Sequence, residues 1–77
     1  MVKKLEYLIA YTDSQGNDFH GLPWVVAPFP SFFEANSFCQ QLLADGLTKD
    51  AFVFSIRYGA CPEEISWEFA RKHRVDS

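Results

Sequence analysis

The chain has 77 residues, 8.8 kDa and a net charge of −3 with a pI near 5.1, room for one domain spanning 1–77 that buries only roughly 60% of its unfolded surface. Its 17% aromatic and 22% charged residues lie far from the signature of disorder. The acidic balance disfavours free DNA or RNA as a partner, because sequence-independent binding draws most of its affinity from a basic face.

The first residues mix an acid and two lysines with alternating apolar positions, unlike a secretory signal, and no long apolar run suggests a membrane span. A soluble cytoplasmic protein without a direct membrane partner is expected. Cys39 and Cys61 are too few for a disulfide framework, and with His20 and His73 they match no short metal-ligand spacing, so no cofactor or metal is expected.

In chain order, Lys4 to Tyr11 alternates, with Leu5, Tyr7, Ile9 and Tyr11 on one side and Lys4, Glu6, Leu8 and Ala10 on the other, as a strand does. The turn formers Thr12 to Asp18 then predict a reversal. A second strand follows from Phe19 to Ala27. It is interrupted by Gly21 and Pro23, so its regular part is Trp24 to Ala27 and its place is an edge or a bulge. Pro28-Phe29-Pro30 should stop the sheet.

Ser31 with Glu34 three residues on is a capping-box signature, and Phe32, Ala35, Phe38, Cys39, Leu42 and Leu43 form an apolar stripe to Ala44, with Phe33 toward its flank. Asp45-Gly46 supplies the stop. Ala51 to Tyr58 reads as a strand, with Phe52, Phe54, Ile56 and Tyr58 facing away from Val53, Ser55 and Arg57. A second helix is expected after Gly59, with Pro62 at its first position, Glu63 and Glu64 in its first turn, and Arg71, Lys72 and His73 in its last.

The result is an α+β domain of order β-β-α-β-α. A three-stranded antiparallel sheet of order 2-1-3 carries the first helix on its large-aromatic face. The second helix packs beside the first or covers the opposite face, where Val53, Leu8 and Ala10 need cover by that helix or by another subunit.

Charge gives the functional hint. Between Leu5 and Thr48 the chain has the acids Glu6, Asp13, Asp18, Glu34 and Asp45, the aromatics Trp24, Phe29, Phe32 and Phe33, and no Lys or Arg. Such a stretch suits docking onto a basic surface, the acids steering encounter and Trp24, Phe29 and Phe33 serving as anchors. Thirteen aromatics also exceed what so small a core hides, which fits a partner interface or a homodimer, or equally aromatics that snorkel over a thin sheet.

Two alternatives come from other residues. Cys61 at a helix start could be an activated thiol in a small redox protein, although a small residue in a tight turn explains it too. Arg57, Arg71, Lys72 and Arg74 could form the basic face of a nucleic-acid-binding regulator, although completing the helix dipole explains the last three.

The layout of two strands, a helix opened by Ser31-Phe32-Phe33-Glu34-Ala35 and closed at Asp45-Gly46, and a third strand resembles small phage-encoded accessory proteins, among them some anti-CRISPR inhibitors. The resemblance covers most of the chain in outline and carries over no residue. It implies a short, acidic, non-enzymatic inhibitor in the host cytoplasm that occupies a basic nucleic-acid-binding surface on a larger protein or ribonucleoprotein complex.

Overall fold

In the computed structural model, residues 5–57 and 65–75 are described. Strands β1 (Leu5–Tyr11), β2 (Trp24–Phe29) and β3 (Ala51–Arg57) form one antiparallel sheet of order β2-β1-β3, the expected order. Helix α1 (Phe32–Ala44) lies between β2 and β3 in the chain, and α2 (Trp67–Lys72) follows β3. The central position of β1 explains why three consecutive residues, Leu8, Ile9 and Ala10, are all buried. A strand covered on both faces hides both of its alternating side-chain sets.

Register fixes which residues share a face. Ile9 lies opposite Val26 and Val53, and Tyr11 opposite Trp24 and Ala51, on the α1 side. Leu8 lies opposite Phe54, and Ala10 opposite Val25 and Phe52, on the α2 side. This corrects the expectation that the first helix packs on the large aromatics of the third strand: Phe52 and Phe54 lie under α2, and Val53 belongs with Ile9 rather than with Leu8 and Ala10. The physical reason is size. The buried residues of α1 are the small Ala35 and Cys39, which suit the smaller side chains Val53 and Ala51, whereas α2 brings Trp67 and Phe69 to the larger ones. Phe38, placed on the expected core stripe, is 43% exposed at its edge beside Phe29.

The helix ends follow local chemistry. Ser31 Oγ accepts the Glu34 N–H at 3.3 Å, and the α1 C-terminus closes with Gly46 N–H on the Leu43 carbonyl and Leu47 N–H on that of Leu42. Those two bonds, with Gly46 at φ +71°, make a Schellman motif. Helix α2 begins at Trp67, because Ser66 is extended and its Oγ accepts the Phe69 N–H at 3.1 Å. Tyr58 and the expected helix start at Cys61, Pro62, Glu63 and Glu64 lie outside the described residues.

Strand β2 also runs further than its prolines suggest. Two steps along β1, from Tyr7 to Ile9, match three along β2, from Phe29 to Val26, so an extra residue forms a bulge and Pro28 is absorbed in it. On the opposite side, the chain after α2 returns along β3: Ser55 N–H meets the His73 carbonyl at 3.0 Å and Val75 N–H that of Val53 at 2.9 Å. Among the described residues, β2 is the open edge.

Candidate interaction surface

The segment between β1 and β2 is a built loop. Asp13 Oδ1 accepts the N–H groups of Gln15 at 2.8 Å and Asn17 at 2.9 Å, turning the chain through Gly16 at φ +85°. Phe19 and Leu22 then exchange both backbone bonds, at 2.8 and 2.9 Å, around His20 at φ +51° and Gly21 at φ +82°. Two central residues at positive φ define a type I′ turn, and histidine is among the few non-glycine residues that enter that region with any frequency. The strand expected from Phe19 is therefore a separate tight turn, with the regular strand starting at Trp24.

This turn displays aromatics. The Phe19 ring lies 4.4 Å from His20 and 4.9 Å from Trp24, and Phe19 and Trp24 are 49% and 40% exposed. Asp18 supports the turn with Oδ1 on the Gly21 N–H at 3.1 Å, while its Oδ2 accepts the Trp67 indole N–H at 2.8 Å. Asp13 and Asp18 are thus engaged with backbone and indole donors rather than standing free in solvent.

Further apolar side chains are exposed along α1 and just after it. Phe33, 77% exposed, faces away from the buried Ala35 and Cys39, Phe38 and Leu43 are exposed on opposite flanks of that buried stripe, and Leu47 follows the helix. Glu34 is the sole charged residue of this 13-residue helix. Its remaining outward positions are the neutral Ser37, Gln40 and Gln41. A solvated helix face normally carries charges, whereas depletion of charge around aromatics marks the core of an interface. Asp45, just beyond the helix, accepts from Gln41 Nε2 at 2.9 and 3.0 Å.

The expected site residues therefore fall into groups. Asp13, Asp18 and Trp24 share the loop and its exit; Phe33, Glu34 and Asp45 share α1 and its ends. Phe29 is half-buried with its ring 5.5 Å from Phe38, and Glu6 sits half-buried opposite Ile56. The base-free character of residues 5–48 is not kept in space. Lys49 donates its N–H to the Asp13 carbonyl and lays its stem against Gly16, and Arg71 stands over the Trp67 ring at 5.5 Å. Phe19, Phe38 and Trp67 were not legible as parts of this surface, because the stripe periodicity counts Phe38 as buried, Phe19 stands at the start of an expected strand, and Trp67 meets Asp18 only through the tertiary fold.

The alternative sites are less assembled. Arg57, Arg71, Lys72 and Arg74 are exposed, but the Arg71 and Arg74 guanidinium groups stack on Trp67 and on Phe52, the latter at 5.2 Å. A shallow cleft of about 360 Å³ runs between Leu5, Ser55, Ile56, Arg57, Phe69 and His73. Cys39 is buried, and desolvation raises its thiol pKa, with a smaller opposing effect from Arg74. It belongs to the buried cluster with Ile9, Ala35 and Val53. Among the described residues no three His, Cys, Asp or Glu side chains gather as metal ligands, and no helix is long and apolar enough to cross a membrane.

No family model, no curated protein and no solved structure matches the chain.

Proposed function

We propose that this protein is a non-enzymatic binding module that docks on a larger protein or ribonucleoprotein complex through the surface built by residues 5–48, covering a basic face of that complex as a small inhibitor would. One observation carries the reading. Among the described residues, all the exposed large apolar side chains, Leu5, Phe19, Trp24, Phe33, Phe38, Leu43 and Leu47, come from the stretch that contains no Lys or Arg. The described part of residues 49–75 supplies no exposed large apolar side chain and holds the cations instead. Aromatics exposed beside uncharged polar groups suit an interface core, and the acids at its margin suit a rim that selects a positive partner.

The open edge of β2 shapes the mode of docking. Pro28 and the bulge interrupt its row of backbone donors, and Pro23 stands just before the strand, which suits side-chain recognition rather than strand addition. Their exposure favours Trp24, Phe33 and Phe19 as anchors, with Phe29 packed behind Phe38 as support.

The test is affinity capture from host lysate with the immobilised parent and with folded Trp24→Ala and Phe33→Ala variants, followed by kinetics with the retained species. The expected result is one complex retained by the parent, weakened by on the order of 2 kcal/mol or more by either substitution, and associating more slowly as salt rises. Retention equal in all three proteins, or binding indifferent to salt, would overturn the reading. Sedimentation equilibrium separates the homotypic outcome: a dimer that Phe33→Ala turns into monomer assigns the surface to self-association.

A further inference from the structure

We infer that the hydrogen bond between Asp18 and Trp67 is a latch that positions the Phe19 and Trp24 pair, so that α2 holds the docking loop in its binding shape. The inference rests on the reading of that pair as an anchor. Asp18 is placed to join two parts of the fold, because its oxygens serve different partners: Oδ1 takes the Gly21 N–H inside the I′ turn, and Oδ2 takes the Trp67 indole N–H, 49 residues away in sequence. Among the hydrogen bonds of the described residues, the second is the one that ties residues 18–22 to the body of the fold.

The far end of the latch is itself anchored. The Trp67 ring lies 6.1 Å from Phe52, a core residue, with the Arg71 guanidinium 5.5 Å above it. From there the connection runs through Asp18 to Gly21, to Phe19, and across 4.9 Å to Trp24. The turn needs such support, since His20 sits at φ +51°, a conformation that surrounding structure must enforce in a residue bearing a side chain. An anchor held in its bound shape binds more tightly because less ordering remains at the moment of contact. Asp18 and Trp67 are positioning residues, acting through the aromatics they fix.

Trp67→Phe tests this directly, since it keeps an aromatic ring against Phe52, deletes the N–H, and leaves Trp24 as the only tryptophan. The readouts are amide exchange at Gly21 and Leu22 against core amides of β1, and acrylamide quenching of Trp24. Exchange at both turn amides should accelerate about tenfold or more, the size expected from losing one hydrogen bond to a charged acceptor, while core amides stay within about twofold. Asp18→Asn is the second variant: it keeps the shape of the side chain, can no longer serve both donors as acceptor, and should shift the Trp67 indole proton resonance. Turn exchange within about twofold of the parent in whichever variants fold would overturn the latch. The complex retained in the capture experiment then separates the two claims. A loosened turn with capture unchanged leaves the latch standing and removes the anchor role of Phe19 and Trp24.

Discussion

Helix α2 is six residues long and lays Trp67, Phe69 and Ala70 on Leu8, Ala10, Phe52 and Phe54, whereas α1, at thirteen residues, fully buries only Ala35 and Cys39, packs Phe32 beside them, leaves Phe38 and Leu43 part-exposed at its flanks and turns Phe33 outward. The longer helix buries the smaller side chains. Hydrophobic stabilisation follows the apolar area removed from water rather than helix length, so the two faces of the sheet divide the work. The α2 side holds large side chains inside, and the α1 side combines a close contact through Ala35 and Cys39 with apolar side chains that folding leaves partly or, at Phe33, mostly in water.

The largest expected effect breaks the α2 side. Phe54 is fully buried and is the largest such side chain among the described residues, so Phe54→Ala should cost about 3–5 kcal/mol, a large fraction of the stability of so small a domain. Urea unfolding followed by circular dichroism measures it. Phe38→Ala, at a position 43% exposed, should cost about 1–2 kcal/mol because much of its area is already in water. Equal losses at the two sites would show that α1 carries as much of the core as α2.

An effect smaller than that of Phe54→Ala lies at the start of β3. Thr12 and Thr48 are both buried, Thr48 Oγ1 donates to the Thr12 carbonyl at 2.6 Å, and Thr12 Oγ1 accepts the Asp50 N–H at 3.1 Å. Thr48→Val keeps the shape and leaves the Thr12 carbonyl without that donor, at about 1–3 kcal/mol. A neutral result in the same unfolding experiment would mean that water replaces the hydroxyl.

Much of this division was legible in sequence, and the failures have physical causes. Strand alternation, the Ser31 cap and the Asp45-Gly46 stop each depend on residues near one another in the chain, so the sheet order and α1 could be read directly. The pairing of helices with faces could not, because it depends on register: only when Ile9 is seen opposite Val53 does Val53 fall on the α1 side and leave Phe52 and Phe54 under α2. The Ser66 cap of α2 does not stand out in the sequence, because it is visible only in its bond to Phe69. Asp18 read as a free steering charge, since nothing local announces a partner 49 residues away.

Cys39 sharpens the α1 side through pH. Burial raises its thiol pKa above the ordinary 9.0, so the folded state holds the proton at pH values where the unfolded chain has released it. Stability from this group is therefore fully present below that ordinary value and is lost as pH rises toward the raised one, with a slope below about 1.4 kcal/mol per pH unit. Cys39→Ala should be less stable at neutral pH and show a shallower alkaline decline than the parent. Parallel declines would mean that the thiol ionises without opening the contact between Ala35, Cys39 and Val53.

The smallest stability effect is expected at Phe33, and it bears most directly on what the outer face of α1 is for. The side chain is 77% exposed, on the face turned away from Ala35 and Cys39, so Phe33→Ala should change folding stability by no more than about 0.5 kcal/mol. Alanine is also the better helix former, which offsets part of the little contact area lost. If the face docks on a partner, the same substitution should cost on the order of 2 kcal/mol in binding, because an aromatic anchor is worth most when a partner desolvates it. The informative quantity is the ratio of the two losses, from unfolding and capture measured on one preparation. Phe54→Ala should place its loss in folding and Phe33→Ala in binding. If Phe33→Ala destabilises folding by more than it weakens capture, the outer face of α1 belongs to the fold after all, and the contrast between the two helices does not hold.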